Sequence, residues 1–433
     1  MRRRRFAGER RHGDRARGAA SARSGGGGGA DVRPDRRRRR IQGATIALEA
    51  TRRGRACLLL ERAEFGAGAS GANLRILHGG LRHLQRLQPA GAWRSLQARA
   101  WFLRHFPDQV APLACVMPLD GRGLRRVTAA RVALAGHRLL ARLAGVDRLL
   151  PGAEVLDARR ARELTPGLAL GRLAGAVLWH DALMRSPDGI VREILGRACA
   201  GGLVALSHVR AESLVAESGR VQGVLARDEL TGAALHCRSG CVVEATGPGP
   251  GLDGAAGPDV PSLVAFNLLL DRRPPAGVAV AGIGTGTTGR ALLVVPLGDR
   301  VLAGTWYVPD AGGGAPERIA RPHRHELLRA LATWWPGLAG GGDPVVEILA
   351  GRLPAAEPQS DRPSRADIVL DAARWRGPSG YVRAFGTKFT TAPALARRGV
   401  DRIFGRTWLG DRSIEPVAGE AKSFGISIRS VRD

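Results

Sequence analysis

The chain has 433 residues, of which 44% are hydrophobic, so it is long enough for one large domain or two medium-sized domains with a substantial core. It contains no run of about 18 uncharged apolar residues, so no membrane-spanning helix is predicted. The net charge of +27 would suit a nucleic-acid-binding protein, but only two of the 66 basic residues, Lys388 and Lys422, are lysine. We attribute the arginine excess to a GC-rich genome and expect no nucleic-acid partner.

The five cysteines are scattered along the chain, and none stands at the spacing of a zinc site. We therefore expect no metal site, and buried free thiols in a reducing cytoplasm. The cysteines are Cys57, Cys115, Cys199, Cys237 and Cys241.

Residues 1–40 carry 15 arginines against four acids and include five consecutive glycines. They have almost no large apolar residue. We therefore interpret the segment as either disordered or translated from a shifted reading frame. If the arginine codons are CGN with G in the third position, the codons of Asp-Arg-Arg-Arg read one base later encode Ile or Thr followed by glycines. The alternative is a genuine sequence in a protein that has lost its cofactor.

A helix is predicted at Ile41–Ala50, and a buried strand at Ala56–Leu60 ends in Glu61. This order is typical of the second half of a dinucleotide-binding βαβ unit. Gly43 would pack the helix on the strand, and Glu61 stands about where a ribose-binding carboxylate belongs. The first two glycines of the G-x-G-x-x-G pattern would fall on Arg38 and Arg40, so the first half of the unit is missing from the sequence.

Two further segments, Leu77–Arg82 and Phe385–Thr391, combine glycines that permit close approach, a cation and nearby polar groups. In the second, a strand over Tyr381–Phe385 ends at Gly386 and a helix begins at about Thr390–Thr391. The positive end of that helix suits an anion, and this feature is typical of enzymes that stabilise negative charge on a reduced flavin ring.

Other strands are predicted at residues 204–209, 221–225, 241–246 and 345–349, the last followed by Arg352. The segments 291–296 and 300–305 predict a hairpin because their apolar residues alternate and a Gly-Asp pair separates them.

These motifs, together with Gly68–Arg82, Glu244–Gly249 and Ala350–Pro354, resemble in content and order the FAD-dependent glycerol-3-phosphate dehydrogenases of the D-amino-acid-oxidase-like superfamily. The resemblance covers roughly residues 41–405. It implies an α/β (α+β) fold, with a Rossmann-like FAD-binding domain and an interleaved antiparallel-sheet substrate domain. The FAD-binding domain would comprise 41–90, 186–255 and 351–405, the substrate domain 91–185 and 256–350, and a tail 406–433.

The resemblance also implies site residues. Arg82, Arg352 and Arg365 would bind the substrate anion, and Lys388 would lie beside the flavin. The base would be His83 or His78, and His83 stands where the family usually has tyrosine. The implied cofactor-binding positions are Gly43, Glu61, Ser70, Asn73, His78, Gly79, Gly80, Val209, Thr246, Gly247, Gly386, Lys388, Thr390 and Thr391.

The predicted reaction is oxidation of a small anionic alcohol, such as glycerol 3-phosphate, by hydride transfer to flavin N5. The alternatives are an amino-acid or amine oxidase on the same fold and a cofactor-free remnant. The electron acceptor is left open between oxygen and a quinone. The expected location is cytoplasmic, with peripheral contact at the inner face of the cell membrane left open.

Overall fold

The computed structural model describes residues 41–65, 72–81, 83, 88–252, 258–283, 291–310, 312–338 and 340–405. The predictions for residues 1–40, Ser70, Arg82 and the tail 406–433 lie outside these ranges.

The described chain contains both helices and strands, with a long run of consecutive strands between α5 and α6. The helices are α1 (Ile41–Arg52), α2 (Pro89–His105), α3 (Val127–Leu143), α4 (Ala158–Leu164), α5 (Pro187–Ala200), α6 (Pro316–Ala320), α7 (Arg324–Ala332) and α8 (Ala392–Phe404). The strands are β1 (Cys57–Glu61), β2 (Ile76–Leu77), β3 (Val110–Leu119), β4 (Glu154–Leu156), β5 (Gly175–Met184), β6 (Leu203–Ser207), β7 (Val209–Glu217), β8 (Arg220–Asp228), β9 (Ala234–Arg238), β10 (Val242–Glu244), β11 (Ser262–Leu270), β12 (Ala279–Ile283), β13 (Ala291–Leu297), β14 (Arg300–Pro309), β15 (Val345–Pro354), β16 (Ile368–Asp371) and β17 (Tyr381–Phe385).

The predicted helix–strand–acid unit is confirmed by α1 and β1. Helix α1 packs between α5 and α8, and almost every residue along it is buried. It ends at Arg52, and the turn that follows contains Gly54, whose φ of +68° suits a residue without a side chain. Strand β1 pairs in parallel with β6, and β10 pairs in parallel with β17.

A larger sheet has the strand order β15-β11-β14-β13-β12-β3-β5-β2. The predicted hairpin is confirmed, because β13 and β14 pair antiparallel around Gly298. The sheet is mixed rather than purely antiparallel, since β12 and β3 run parallel. One of its faces packs on α6 and α7 around a buried apolar core that includes Phe266, Leu327 and Trp335.

Three local predictions are wrong in detail. The predicted strand over 204–209 is interrupted at His208, whose left-handed φ of +57° separates β6 from β7. The strand predicted to end at Leu349 continues to Pro354, so Arg352 lies within β15. Among the free thiols Cys115 and Cys237 are buried as predicted, but Cys199 is exposed.

Candidate active site

A buried carboxylate on β5 holds the His-Gly pair that follows β2. Asp181 Oδ1 accepts a hydrogen bond from the Gly79 N–H at 2.7 Å, and Asp181 Oδ2 lies 3.2 Å from His78 Nδ1. Arg99 of α2 completes the group, with its Nη1 3.1 Å from Asp181 Oδ1. The side chain of His78 is 41% exposed, whereas those of Asp181 and Arg99 are 6% and 7% exposed. The imidazole is therefore fixed on one edge and accessible on the other.

Asp181 stays ionised in this position. Burial alone would raise its pKa, but the hydrogen bond and charge of His78, the charge of Arg99 and the Gly79 N–H outweigh burial and lower the pKa of Asp181 to about 2. An ionised Asp181 favours the tautomer with the proton on His78 Nδ1, which leaves Nε2 as the acceptor on the accessible edge. The pair can therefore take a proton from a hydroxyl placed near Nε2.

Sequence patterns single out neither Asp181 nor Arg99 as a site residue. The one available signal for Asp181 is an acid inside the otherwise mostly apolar strand β5. Arg99 has no distinguishing signal among the arginines of the chain.

The glycines of the His-Gly-Gly motif make room for α2. A Cβ on Gly79 would overlap the guanidinium of Arg99, and a Cβ on Gly80 would lie 2.7 Å from the Cβ of Ser95. Gly80 also has a φ of +85°. Helix α2 therefore occupies the Cβ side of both glycines, and a ring ligand would have to approach from the opposite side of the backbone.

The second motif lies where β17 ends, next to the start of α1. A Cβ on Gly386 would overlap the side-chain amide of Gln42. Thr387 donates to Asp367 Oδ1 from its backbone N–H at 2.8 Å and from its hydroxyl at 3.0 Å. These contacts fix the turn that leads into α8.

The predicted helix after this turn is confirmed and begins at Ala392. Thr391 is its N-cap residue and makes no side-chain cap hydrogen bond, and its hydroxyl donates to the Lys388 carbonyl at 3.3 Å. Thr390 is buried and Lys388 is exposed. The helix end, with its positive dipole, and the exposed ammonium thus lie within four residues of one another.

Four of the predicted cofactor positions, Gly43, Glu61, Val209 and Thr246, line one cavity of about 800 Å³. A Cβ on Gly43 would lie in ordinary van der Waals contact with Leu59, 3.6 Å from a methyl carbon, so the packing of α1 on β1 does not itself require glycine here. His78, Lys388 and Arg352 are not among the residues described as lining this cavity.

The cavity positions already have partners within the protein. Glu61 Oε1 accepts from the Ala63 N–H at 3.1 Å, and the Thr246 hydroxyl donates to Glu244 Oε1 at 2.5 Å. Gly247, next in the chain, has a φ of +91°. The turn after β10 is therefore tied back to β10 by the Thr246 hydroxyl.

Arg352 lies on the face of the large sheet that α6 and α7 cover. It pairs across the ladder with Val264, a buried member of the core that this face shares with α6 and α7. The neighbouring Asn267 lies on the opposite face, where its Nδ2 donates to the Ala72 carbonyl at 3.2 Å. Arg352 Nε instead donates to the buried Asp310 at 2.6 Å. The structure therefore does not bring Arg352 together with the 72–81 segment.

The remaining predicted positions are dispersed. His83 Nδ1 lies 3.2 Å from Gln88 Oε1, and the ring packs against Gly91 at the start of α2. Asn73 Oδ1 accepts from the Arg75 N–H at 2.6 Å and shapes the loop before β2. Arg365 is exposed.

Residues 41–402 match the sequence profile of the DAO family, described as FAD dependent oxidoreductase. The chain belongs to this family. The match covers both the helix–strand–acid unit and the segment that carries Lys388, so the resemblance drawn from the motifs is confirmed.

Curated relatives of this chain include the aerobic glycerol-3-phosphate dehydrogenase of Staphylococcus saprophyticus, which is 24% identical over 373 residues. That alignment covers 84% of this chain and 65% of the relative. The alpha-glycerophosphate oxidase of Streptococcus pneumoniae is 32% identical over 215 residues, which are 48% of this chain and 34% of the relative. The chain thus spans less than two thirds of the length of these relatives.

Solved structures share the fold of this chain. The glycerol-3-phosphate dehydrogenase of Bacillus halodurans, complexed with FAD, has a TM-score of 0.63 at 22% identity, covering 84% of this chain and 62% of that chain. The glycine oxidase of Geobacillus kaustophilus has a TM-score of 0.56 at 18% identity, covering 88% of this chain and 96% of that chain. At these identities the likeness establishes the fold alone.

The residues present fit the two ends of an FAD molecule but not its middle. Glu61 at the end of β1 suits the adenosine ribose, and the positive helix end beside Lys388 suits the flavin. The pyrophosphate needs the glycines that would precede Gly43, and the sequence has Arg38 and Arg40 there.

Proposed function

We propose that the chain is an FAD-dependent oxidoreductase that oxidises a small anionic alcohol such as glycerol 3-phosphate. The family membership and the names of the curated relatives support this assignment. The His78–Asp181 pair is the observation that carries it, because alcohol oxidation needs a fixed base at the hydroxyl. FAD, when bound, supplies the acceptor for the hydride.

In this proposal the protein contributes proton transfer and charge stabilisation. His78 Nε2 accepts the hydroxyl proton, and Asp181 orients the ring and stabilises the imidazolium that forms. Lys388 and the start of α8 stabilise negative charge near the helix end.

The substrate anion is assigned to cations other than Arg352. Arg82 and Arg365 keep their proposed roles in binding the anion through bidentate hydrogen bonds. For Arg352 we propose a structural role, because its guanidinium bonds Asp310 and the carbonyls of Gly313 and Gly314. His83, whose ring contacts Gln88, is the weaker candidate for the base.

The experiment is turnover of the purified full chain supplied with FAD, with glycerol 3-phosphate compared against glycine and D-amino acids. Oxidation of glycerol 3-phosphate alone supports the proposal. Oxidation of an amino acid would instead assign the chain to the oxidases that share its fold, such as glycine oxidase. Oxygen consumption measured beside reduction of a soluble quinone identifies the electron acceptor.

Contact with a membrane surface is proposed for α3. No described helix is long and apolar enough to cross a membrane. Three side chains of α3, Val132, Leu139 and Leu143, are nevertheless 74%, 58% and 67% exposed, and Arg131 and Arg142 are exposed beside them. An apolar stripe flanked by cations suits an anionic bilayer surface. Co-sedimentation with phosphatidylglycerol vesicles, lost in Leu139→Glu, tests this contact.

A further inference from the structure

The parallel strands of the described structure form two separate groups with a cavity between them. Strand β1 pairs with β6 along one edge, and β10 pairs with β17 along one edge. Within the described ranges neither β1 nor β10 has a strand partner on its other edge. Residues 56–62 and 242–246 line the same cavity of about 800 Å³. Each half of the sheet therefore presents an edge without a ladder partner to this cavity.

The cavity is covered on both faces. Alternate residues of β1 lie on opposite sides: Leu59 packs toward α1, and Leu58 packs toward β7 and β9. Helix α1 lines the cavity with the small side chains Ala44, Ala47 and Ala50. A position in a parallel sheet that is covered on both faces takes a continuous apolar strand.

The size of the cavity fits one short strand. From a strand spacing of about 4.8 Å, a rise of about 3.3 Å per residue and a layer about 10 Å thick, a five-residue strand occupies about 800 Å³. The neighbours β1 and β10 have five and three residues. A strand of that length would give both edges their missing hydrogen-bond partners.

The direction of the strand follows from α1. The end of β17 touches the start of α1, because a Cβ on Gly386 would overlap the Gln42 side chain. Strand β1 begins after the other end of α1 and runs back beside it, so β1 and β17 end at the same edge of the sheet. A segment that leads directly into Ile41 also ends at this edge. It is therefore parallel to both neighbours, as βαβ connectivity requires.

We propose that this cavity is the position of an apolar β-strand of about five residues that directly precedes Ile41 and ends in a glycine turn. We further propose that the working protein carries such a segment where this sequence has Arg36–Arg40. The strand would join the two halves into one sheet, and its turn would place glycine backbone between Glu61 and Thr246. The inference concerns the fold and holds whichever substrate the enzyme takes.

Five consecutive arginines do not suit this position. The walls are largely apolar, and the two acids that line the cavity already have partners: Glu244 accepts from Tyr381 and pairs with Arg383 at 3.3 Å, and Glu61 accepts from Ala63. Buried guanidinium groups without counter-ions would be strongly unfavourable. The codons of Asp35–Arg40, read one base later, give Ile or Thr followed by glycines wherever the third base is G, so a one-base change of frame near Ile41 would supply the turn.

Two full-length variants test the strand directly. The first carries Arg33→Val, Pro34→Val, Asp35→Val, Arg36→Val and Arg37→Ile together with Arg38→Gly, Arg39→Gly and Arg40→Gly. The matched control has serine at 33–37 and the same three glycines, so it differs only in strand-forming side chains. We expect the valine variant to melt at least about 5 °C above the serine control. It should also keep flavin absorbance at about 450 nm through gel filtration, which the unmodified chain should lose.

Equal melting temperatures of the two variants would overturn the inference, and so would stable FAD binding by the unmodified chain. Peptide mapping of the protein from its native source is an independent measurement, which does not depend on how the variants fold. We expect apolar and glycine residues before Ile41, and recovery of the Arg36–Arg40 sequence would overturn the inference. Retained flavin without turnover of glycerol 3-phosphate would instead refute the proposed function and leave the strand position unaffected.

Discussion

Replacing Asp181 by asparagine tests the buried ion pair that positions His78. The Asp181→Asn side chain has nearly the same shape and can still accept from the Gly79 N–H, but it carries no charge. Arg99, whose side chain is 7% exposed, then has no counter-ion at 3.1 Å. The effect of the substitution is therefore electrostatic rather than a loss of packing.

The magnitude follows from the pKa of Asp181. The carboxyl has a pKa of about 2 in the folded protein against an ordinary value of 3.8. The pKa in the folded state therefore lies nearly two pKa units below that in the unfolded state. At 1.36 kcal/mol per unit, this favours the folded state by about 2.5 kcal/mol. Because the folded-state pKa is the lower one, the contribution is fully present above about pH 4 and is lost as the pH falls toward 2. With Arg99 left buried and unpaired, we expect a total loss of about 3 kcal/mol at pH 7.

The assay is urea unfolding of the full chain, with Asp120→Asn as the control. Asp120 pairs with Arg125 at the same 3.1 Å, but its side chain is 29% exposed, so its removal should cost less than about 1 kcal/mol. The difference between wild type and Asp181→Asn should stay constant from pH 7 to pH 5 and shrink below about pH 4. A loss below about 1 kcal/mol at pH 7, or equal losses in the two variants, would refute the reasoning.

Three further predictions concern other residues of the structure. Arg352→Met should lower the free energy of unfolding by about 2 kcal/mol, because the buried carboxylate of Asp310 loses a charged hydrogen bond. The KM for glycerol 3-phosphate should change less than about twofold, and a tenfold rise in KM would show that Arg352 binds the substrate. His78→Gln should lower kcat by about 100-fold and His83→Gln by less than about threefold in steady-state assays with FAD, and the reverse order would make His83 the base. Burial raises the pKa of the half-buried Cys57 thiol to about 11, so iodoacetamide at pH 8 should label the exposed Cys199 well before Cys57, as read by mass spectrometry; equal rates would contradict the raised pKa of Cys57.

The elements that could be predicted are those whose signals lie within a few residues. The hairpin β13–β14 follows from alternating apolar residues around Gly298, and α1 with β1 follows from a change of periodicity that ends in Glu61. The sequence predicts the start of α8 to within two residues. Gly386 marks the end of a strand, and Thr391 is the N-cap residue of the helix.

The features of the site that the sequence did not reveal depend on odd or even position within a strand, or on contacts between residues far apart in the chain. The sequence predicts Arg352 after the end of its strand, but the strand continues to Pro354. Side chains at odd and even positions of a strand lie on opposite faces of the sheet. The facing residue, Val264, then places Arg352 on the face of the sheet that α6 covers. Asp181 and Arg99 are 82 residues apart in sequence, and no local pattern in either segment predicts their contact.

The His-Gly-Gly motif can be interpreted as part of the same positioning device, and a double-mutant cycle tests this. Gly79 donates its N–H to Asp181, and a Cβ at this position would displace the guanidinium of Arg99 that holds the carboxylate. Gly79→Ala should therefore weaken the Arg99–Asp181 pair and lower kcat through the orientation of His78. Both substitutions break the same network. The double variant Gly79→Ala with Asp181→Asn should therefore lose less free energy of unfolding than the sum of the two single losses, by at least about 1 kcal/mol. Strict additivity would mean that Gly79 is glycine for another reason, such as the approach of a ligand from the opposite side of the backbone.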